Sequence, residues 1–143
     1  MNNLLYHEIF ELFEKTDKRA DKIEVLRKHS DRNFISFLEY AFNPSIVFDV
    51  EIPDYKPSKD PAGLNYVYLH NEIAGMYRFI VGHPKRSPNL ESRRQKILLL
   101  QVLEGLHAEE ASLLIKCIGK DLKIPFLTKK LVKEAFPNIN IGE

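Results

Sequence analysis

The stretch that decides the fold reads Leu98-Leu-Leu-Gln-Val-Leu-Glu-Gly-Leu-His-Ala-Glu-Glu-Ala111, then Leu113-Leu-Ile-Lys-Cys-Ile-Gly-Lys-Asp-Leu-Lys-Ile-Pro125, then Thr128-Lys-Lys-Leu-Val-Lys-Glu-Ala-Phe-Pro137. Its apolar residues recur at the three- and four-residue steps of a helical face, so three short helices joined by tight turns are expected. In the first, Ile97, Leu98, Leu99, Leu100, Val102, Leu103 and Leu106 leave scarcely a polar face. That marks a helix buried all round and central to the fold, with Asn89 as its N-cap. The second runs from Ala108 to Ile118 with Ala111, Leu114, Ile115 and Ile118 inward. Thr128 is placed to cap the third, whose Leu131, Val132, Ala135 and Phe136 face the core.

Upstream, helical spacing runs from Leu64 through Tyr66 or Val67, Leu69, Ile73, Met76 or Tyr77 and Ile80 to Gly82, whose missing side chain suits a helix C-terminus. Pro84 and Pro88 then fence a basic turn containing Lys85 and Arg86. Residues 53–64, interrupted by Pro57, Pro61 and Gly63, read as a loop. Before it, Ile46, Phe48, Val50 and Ile52 alternate with Val47, Asp49 and Glu51, the period-two signature of an extended segment. No partner strand is evident, so residues 46–52 are placed as an arm over the helices. The N-terminal part reads as three helices. The first carries Leu5, Ile9, Leu12 and Phe13, with Asn2 or Asn3 as N-cap. The second carries Ala20, Ile23 and Leu26 behind Thr16-Asp17. The third carries Phe34, Phe37, Leu38 and Ala41 behind Ser30-Asp31 and is ended by Asn43-Pro44. The expected fold is an all-α, compact bundle of about six to seven helices with one extended arm near residues 46–52. It is one domain over residues 1–143, divided into N-terminal helices 1–43, arm and proline-rich loop 44–64, helical core 65–137 and tail 138–143.

With 143 residues, 44% hydrophobic and 29% charged, the chain has ordinary globular composition and can bury roughly two thirds of its unfolded surface. No apolar run approaches the roughly 18 residues that span a bilayer, so no membrane anchor is expected. Met1-Asn2-Asn3-Leu4 lacks the basic and apolar regions of a secretory signal, and Cys117 is the lone cysteine; both point to an intracellular, reducing setting. The net charge of +1 conceals an asymmetry: residues 1–77 hold nine Lys or Arg against thirteen Asp or Glu, a net −4, and residues 78–143 hold twelve against seven, a net +5. Such a split suits an anionic partner for the second half.

Two segments carry a family resemblance. Gly119-Lys120-Asp121-Leu122, a turn, and Leu127-Thr128-Lys129-Lys130-Leu131-Val132 resemble the ligase pattern of a basic residue, Asp and Leu before a turn and a short capped helix. Upstream, Tyr40-Ala41-Phe42-Asn43-Pro44 leading into Phe48-Asp49-Val50-Glu51-Ile52-Pro53 resembles a helix ending at a proline with an extended run to another. In this order, over roughly residues 34–137, they are similar to the N-terminal DNA-binding domain of ATP-dependent DNA ligases of T-even-type bacteriophages. The resemblance implies a helical fold, a phage origin and a grip on double-stranded DNA, standing alone without the catalytic domain. The expected nucleic-acid-binding residues are Arg93, Arg94, Lys96, Lys116, Lys120, Lys123, Lys129, Lys130 and Lys133, extended by Lys85 and Arg86, with helix N-termini at Asn89 and Thr128 adding N–H groups for phosphate. The chain departs from the ligase pattern at Glu51-Ile52, where those proteins commonly carry Lys-Lys, and at Lys123-Ile124-Pro125, where they commonly carry glycine.

No catalytic role is expected. Ligases charge the lysine of a Lys-x-Asp-Gly motif with AMP, and the chain contains no Asp-Gly pair. It also lacks a glycine-rich phosphate loop, and none of its five histidines stands at metal-ligand spacing from Cys117 or another histidine, so no metal, cofactor or small-molecule substrate is expected. His70-Asn71-Glu72 and His107-Ala108-Glu109-Glu110 read as surface or capping groups, and Cys117 as a small core residue. Two function classes follow: a non-catalytic nucleic-acid-binding accessory protein, or a protein-interaction module docking on a phage or host complex or a virion component. The expected location is the cytoplasm of an infected cell, or the virion.

Overall fold

A computed structural model describes residues 4–59 and 67–142. Among these, the helices are α1 (Tyr6–Lys15), α2 (Arg19–Lys28), α3 (Arg32–Phe42), α4 (Leu69–Glu72), α5 (Ser92–Gly105), α6 (Ala108–Ile118) and α7 (Lys129–Ala135), with a 3₁₀ helix at Ile73–Phe79 between α4 and α5. The chain is an all-α bundle, as its periodicity predicts.

The centre is α6, not α5. α6 packs against α1, α3, α4 and α5, burying Glu110, Ala111, Leu113, Leu114 and Cys117. α5 leans on α6 from outside: Leu99, Val102 and Leu103 are buried with Gln95, while Ile97 is 39% exposed and Leu98 and Leu100 are half-buried. Consecutive leucines step about 100° apart round a helix, so an unbroken apolar run spreads over every face and only part of it meets a neighbour. α1 turns Tyr6, Ile9, Phe10 and Phe13 inward, while the predicted Leu12 is 40% exposed. Tyr6 meets Phe34 edge-on and Phe37 at a tilt, both with ring centroids 5.2 Å apart, joining α1 to α3. α2 bridges α1 to α7.

Charged side chains from distant elements close the ends of these short helices. Lys22 of α2, 5% exposed, donates from Nζ to the Phe13 carbonyl at the end of α1 (2.8 Å). Arg27 donates to the Ala135 and Glu134 carbonyls that end α7 (2.9 and 3.0 Å). Lys120 donates to the carbonyls of Tyr40 and of Asn43 (3.0 Å to the latter) beyond α3. At the other polarity, Glu110 of α6 accepts from the first amides of α1 and α4, Tyr6 N–H (3.3 Å) and Leu69 N–H (3.2 Å). Each partner meets an amide or carbonyl at a helix end, where the regular ladder runs out, and its charge opposes the local helix dipole; the Phe13 and Asn43 carbonyls also accept from Thr16 and Ile46 N–H. Local caps complete the set. Asp31 accepts from Phe34 N–H and Thr128 from Leu131 N–H, as expected, but α2 and α5 begin behind Lys18 and Glu91 without side-chain caps. Thr16 instead donates back to the Leu12 carbonyl. The expected cap Asn89 lies three residues before α5, its N–H bonded to Ser87 Oγ.

The arm has a partner. Phe48 bridges Ile80 antiparallel, with Asp49 N–H donating to Phe79 O (3.0 Å) and Val81 N–H to Val47 O (2.8 Å). Ile46, Phe48 and Val50 are half-buried as the alternation predicts, while Ile52 is 39% exposed. Ile73, Met76 and Phe79 recur every third residue and are buried, which is the face of a 3₁₀ rather than an α-helix. After it Gly82 adopts φ +74°, the left-handed conformation that a glycine reaches without strain. The expected tail is core: Ile139 and Ile141 are buried, and Asn140 bonds Asn43 and Glu39. The readings placed on Asn2, Asn3, Pro61, Gly63, Leu64 and Tyr66 lie outside the described residues.

Candidate nucleic-acid interface

The turn between α6 and α7 carries Lys120 and Lys123 and leads into the lysines of α7, and its backbone is strained. Lys120, Lys123 and Phe126 have φ of +64°, +56° and +68°. A left-handed backbone costs a residue with a side chain roughly 1–2 kcal/mol, and three within seven positions is a concentration that persists only where the surroundings impose it. Leu122 and Leu127 are buried beneath the turn and hold it, while Asp121 accepts from Lys123 N–H (3.0 Å). The result points Phe126 outward, 71% exposed. One face of its ring lies 5.1 Å from the Lys22 ammonium, whose other side faces Phe13 at 4.7 Å. Beside it opens a cleft of about 330 Å³ lined by Glu14, Asp17, Arg19, Lys22, Phe126 and Thr128 among others.

The predicted basic residues do not form one surface. Lys120 turns inward; besides the two carbonyls, its ammonium lies 5.1 Å from the Phe48 ring, and burial holds its pKa below the usual lysine range. It is a structural cation, not a phosphate contact. Lys96 pairs with Glu51 of the arm (3.2 Å), the position where the ligase pattern has lysine. Arg86 grips both Asp49 oxygens (2.8 and 2.9 Å) and the Ile80 carbonyl (3.0 Å), so it fastens the arm to the segment it pairs with. Arg93 and Arg94 are exposed at the start of α5, which packs on α6, whereas Lys130 and Lys133 are exposed on α7, which packs on α2. Lys116 and Lys123 are exposed at the two sides of the turn, and Lys129 is half-buried. Among the described residues Arg93, Arg94, Lys116, Lys123, Lys130 and Lys133 make no ion pair within 4.0 Å. The seven-residue α7 retains its Thr128 hydroxyl cap on Leu131 N–H.

The remaining polar chemistry is mostly interior. Cys117 is fully buried and its thiol is pushed up to about 12 by burial. Glu110 is 1% exposed, and burial raises its pKa against the lowering effect of the two amides it accepts from. His7 and His107, a hundred positions apart, stack with ring centroids 4.7 Å apart and planes 10° from parallel, and Glu109 lies 3.2 Å from His7 Nε2. Linear spacing carries no trace of this gathering, because helix packing makes it. Likewise neither Lys22 nor Gln95, which donates to Arg78 O (2.8 Å), had a signal beyond an ordinary polar residue on a helix.

No helix among the described residues is long and apolar enough to cross a membrane. In comparisons with known proteins a family model matches residues 9–124, most of the bundle, and neither a curated protein nor a solved structure matches the chain.

Proposed function

The chain belongs to the family described as a family of unknown function (DUF6433), so its role must be argued from its own residues, and we propose that it is a phage-encoded, non-catalytic nucleic-acid-binding accessory protein related in design to the DNA-binding domain of phage-type DNA ligases. It holds the phosphate backbone of duplex DNA through Lys116, Lys123, Lys129, Lys130 and Lys133, with Arg93 and Arg94 as a second group. The observation that carries this reading is the strained turn: a backbone held left-handed at three non-glycine positions displays Lys123 and Phe126 beside the lysines of α7. Among the described residues Arg93, Arg94, Lys116, Lys123, Lys130 and Lys133 have no carboxylate within 4.0 Å, so they lose no ion pair on meeting phosphate, and each phosphate neutralised steepens the salt dependence.

Titration with a short duplex at two salt concentrations tests it. Affinity should fall steeply with salt, each of Lys123→Glu, Lys130→Glu and Lys133→Glu reducing the log–log slope by about 0.9. Arg93→Glu with Arg94→Glu reports whether the second group joins the same footprint. Binding indifferent to salt and to all of these charge reversals rejects the reading. The alternative, a protein-interaction module, draws on Val47, Ile52, Val81 and Ile97, each 39–53% exposed on the arm, the segment it pairs with, and α5. That reading predicts a stoichiometric protein partner whose capture survives nuclease and is lost with Val47→Lys.

A further inference from the structure

We propose that His7, His107 and Glu109 form a binding site for a divalent transition metal of the zinc class. His7 is the second residue of α1, His107 is the N-cap of α6, and Glu109 is the second residue of α6. One ligand atom from each lies within 4.8 Å of the others. His7 Nε2 and Glu109 Oε2 are 3.2 Å apart. Two ligands roughly 2.0–2.1 Å from an ion at the tetrahedral angle stand roughly 3.3 Å apart, so this pair already spans one edge of a zinc coordination sphere. The His107 ring lies parallel to that of His7, centroids 4.7 Å apart, and its ligand nitrogen stands within 4.8 Å of the other two ligand atoms.

The surroundings point to a cation as well. His7 Nδ1 is buried and has no hydrogen-bond partner among the described residues, so the ring's sole polar outlet is Nε2, facing Glu109. Coordination through Nε2 moves the imidazole proton to Nδ1 and costs no hydrogen bond there. Among the described residues Glu109 has no lysine or arginine partner, and a second carboxylate, Glu110, lies buried next to it in the chain. Two imidazoles with one carboxylate select zinc, cobalt, nickel or copper over magnesium or calcium, which demand oxygen ligands. Three protein ligands leave the fourth position to water. His107 Nδ1 accepts from Glu109 N–H (3.1 Å). Binding through its Nε2 requires the proton on Nδ1, so the ion replaces this cap and in return ties α1 to α6.

Calorimetric titration of the purified, tag-free protein with zinc chloride tests the site, with magnesium chloride as the control and cobalt absorbance as the report on geometry. One equivalent of zinc should bind, raise the melting temperature, and give a cobalt spectrum of low coordination number; magnesium should do neither. His7→Ala and Glu109→Gln should each weaken zinc binding at least about tenfold, while His83→Ala leaves it unchanged. Should His7→Ala fail to fold, His107→Asn keeps an N-cap and removes the ligand, and it must lose zinc equally. No heat and no melting shift with zinc in the wild-type protein, or wild-type affinity in His107→Asn, overturns the proposal.

Discussion

Lys22, Arg27 and Lys120 are spent on helix ends, which separates two kinds of cation that look alike in the chain. Lys120→Ala removes the donor to the Tyr40 carbonyl of α3 and one of two donors to the Asn43 carbonyl, and should cost about 1–3 kcal/mol in urea unfolding while leaving any DNA affinity nearly unchanged; Lys130→Glu should do the reverse. A Lys120→Ala variant as stable as the parent would remove the capping assignment. Tyr6 presents the complementary case, a buried hydroxyl without a hydrogen bond among the described residues. Tyr6→Phe therefore should be neutral or stabilising by up to about 1 kcal/mol by thermal melt, since it deletes a desolvated group and keeps the ring contacts with Phe34 and Phe37. Glu110 sets a pH dependence. Burial raises its folded pKa above the ordinary 4.5, so folding favours the protonated form: this contribution is fully present below 4.5 and is lost as pH rises through the raised value. Glu110→Gln should flatten that part of the stability–pH curve, measured by denaturation from pH 4.5 to neutrality; an unchanged slope would refute burial as the dominant cause.

The arm shows what an element owes to a single ion pair. Asp49 is held below the usual carboxylate range, chiefly by its hydrogen bonds from Arg86, so the clasp stabilises above the ordinary aspartate value and is lost as pH falls through the lowered one. Arg86→Ala should therefore open the arm locally: exchange of the Asp49 and Val81 amides should accelerate at neutral pH while amides of α6 stay protected. Equal protection in both proteins would mean that the bridge stands without the guanidinium. The same element marks how far the chain was legible beforehand. The segment Ile73–Phe79 reads as an ordinary helical face with Ile80 inward, and its three-residue recurrence through Phe79 emerges only in the fold. The proline stop at Asn43-Pro44 and the caps Asp31 and Thr128 are local chemistry, and they read directly. Which helix is central did not, because the unbroken leucines of α5 say that a helix is apolar but not how many neighbours surround it; α6, with fewer leucines, holds the middle. Of the candidate site, Lys130 and Lys133 of α7 and Arg93 and Arg94 lie exposed as their helical positions imply. Lys120, Lys96 and Arg86 were drawn off by Tyr40, Glu51 and Asp49, partners 37 to 80 residues away. No window of sequence holds such pairings.

For the molecule as a whole, the +5 of the second half is redistributed by folding: several of its cations face inward or meet acids of the first half, whose net charge is −4. What remains outside is the lysines about the α6–α7 turn and the arginines that begin α5, so reversing one group should lower DNA affinity without abolishing its salt dependence, and reversing both should abolish it. The placement of α6 also orders events in time. The aromatic faces of α1 and α3 are completed by Ala111, Leu114 and Cys117, and α2 is closed by α7. A ribosome delivers Phe13, Phe34 and Phe37 long before the residues that cover them, so the N-terminal helices emerge with their apolar sides open to water and to chaperones. Cooperative folding waits for α6 and α7 to emerge, which makes their arrival the step that shields the earlier helices of the nascent chain from aggregation.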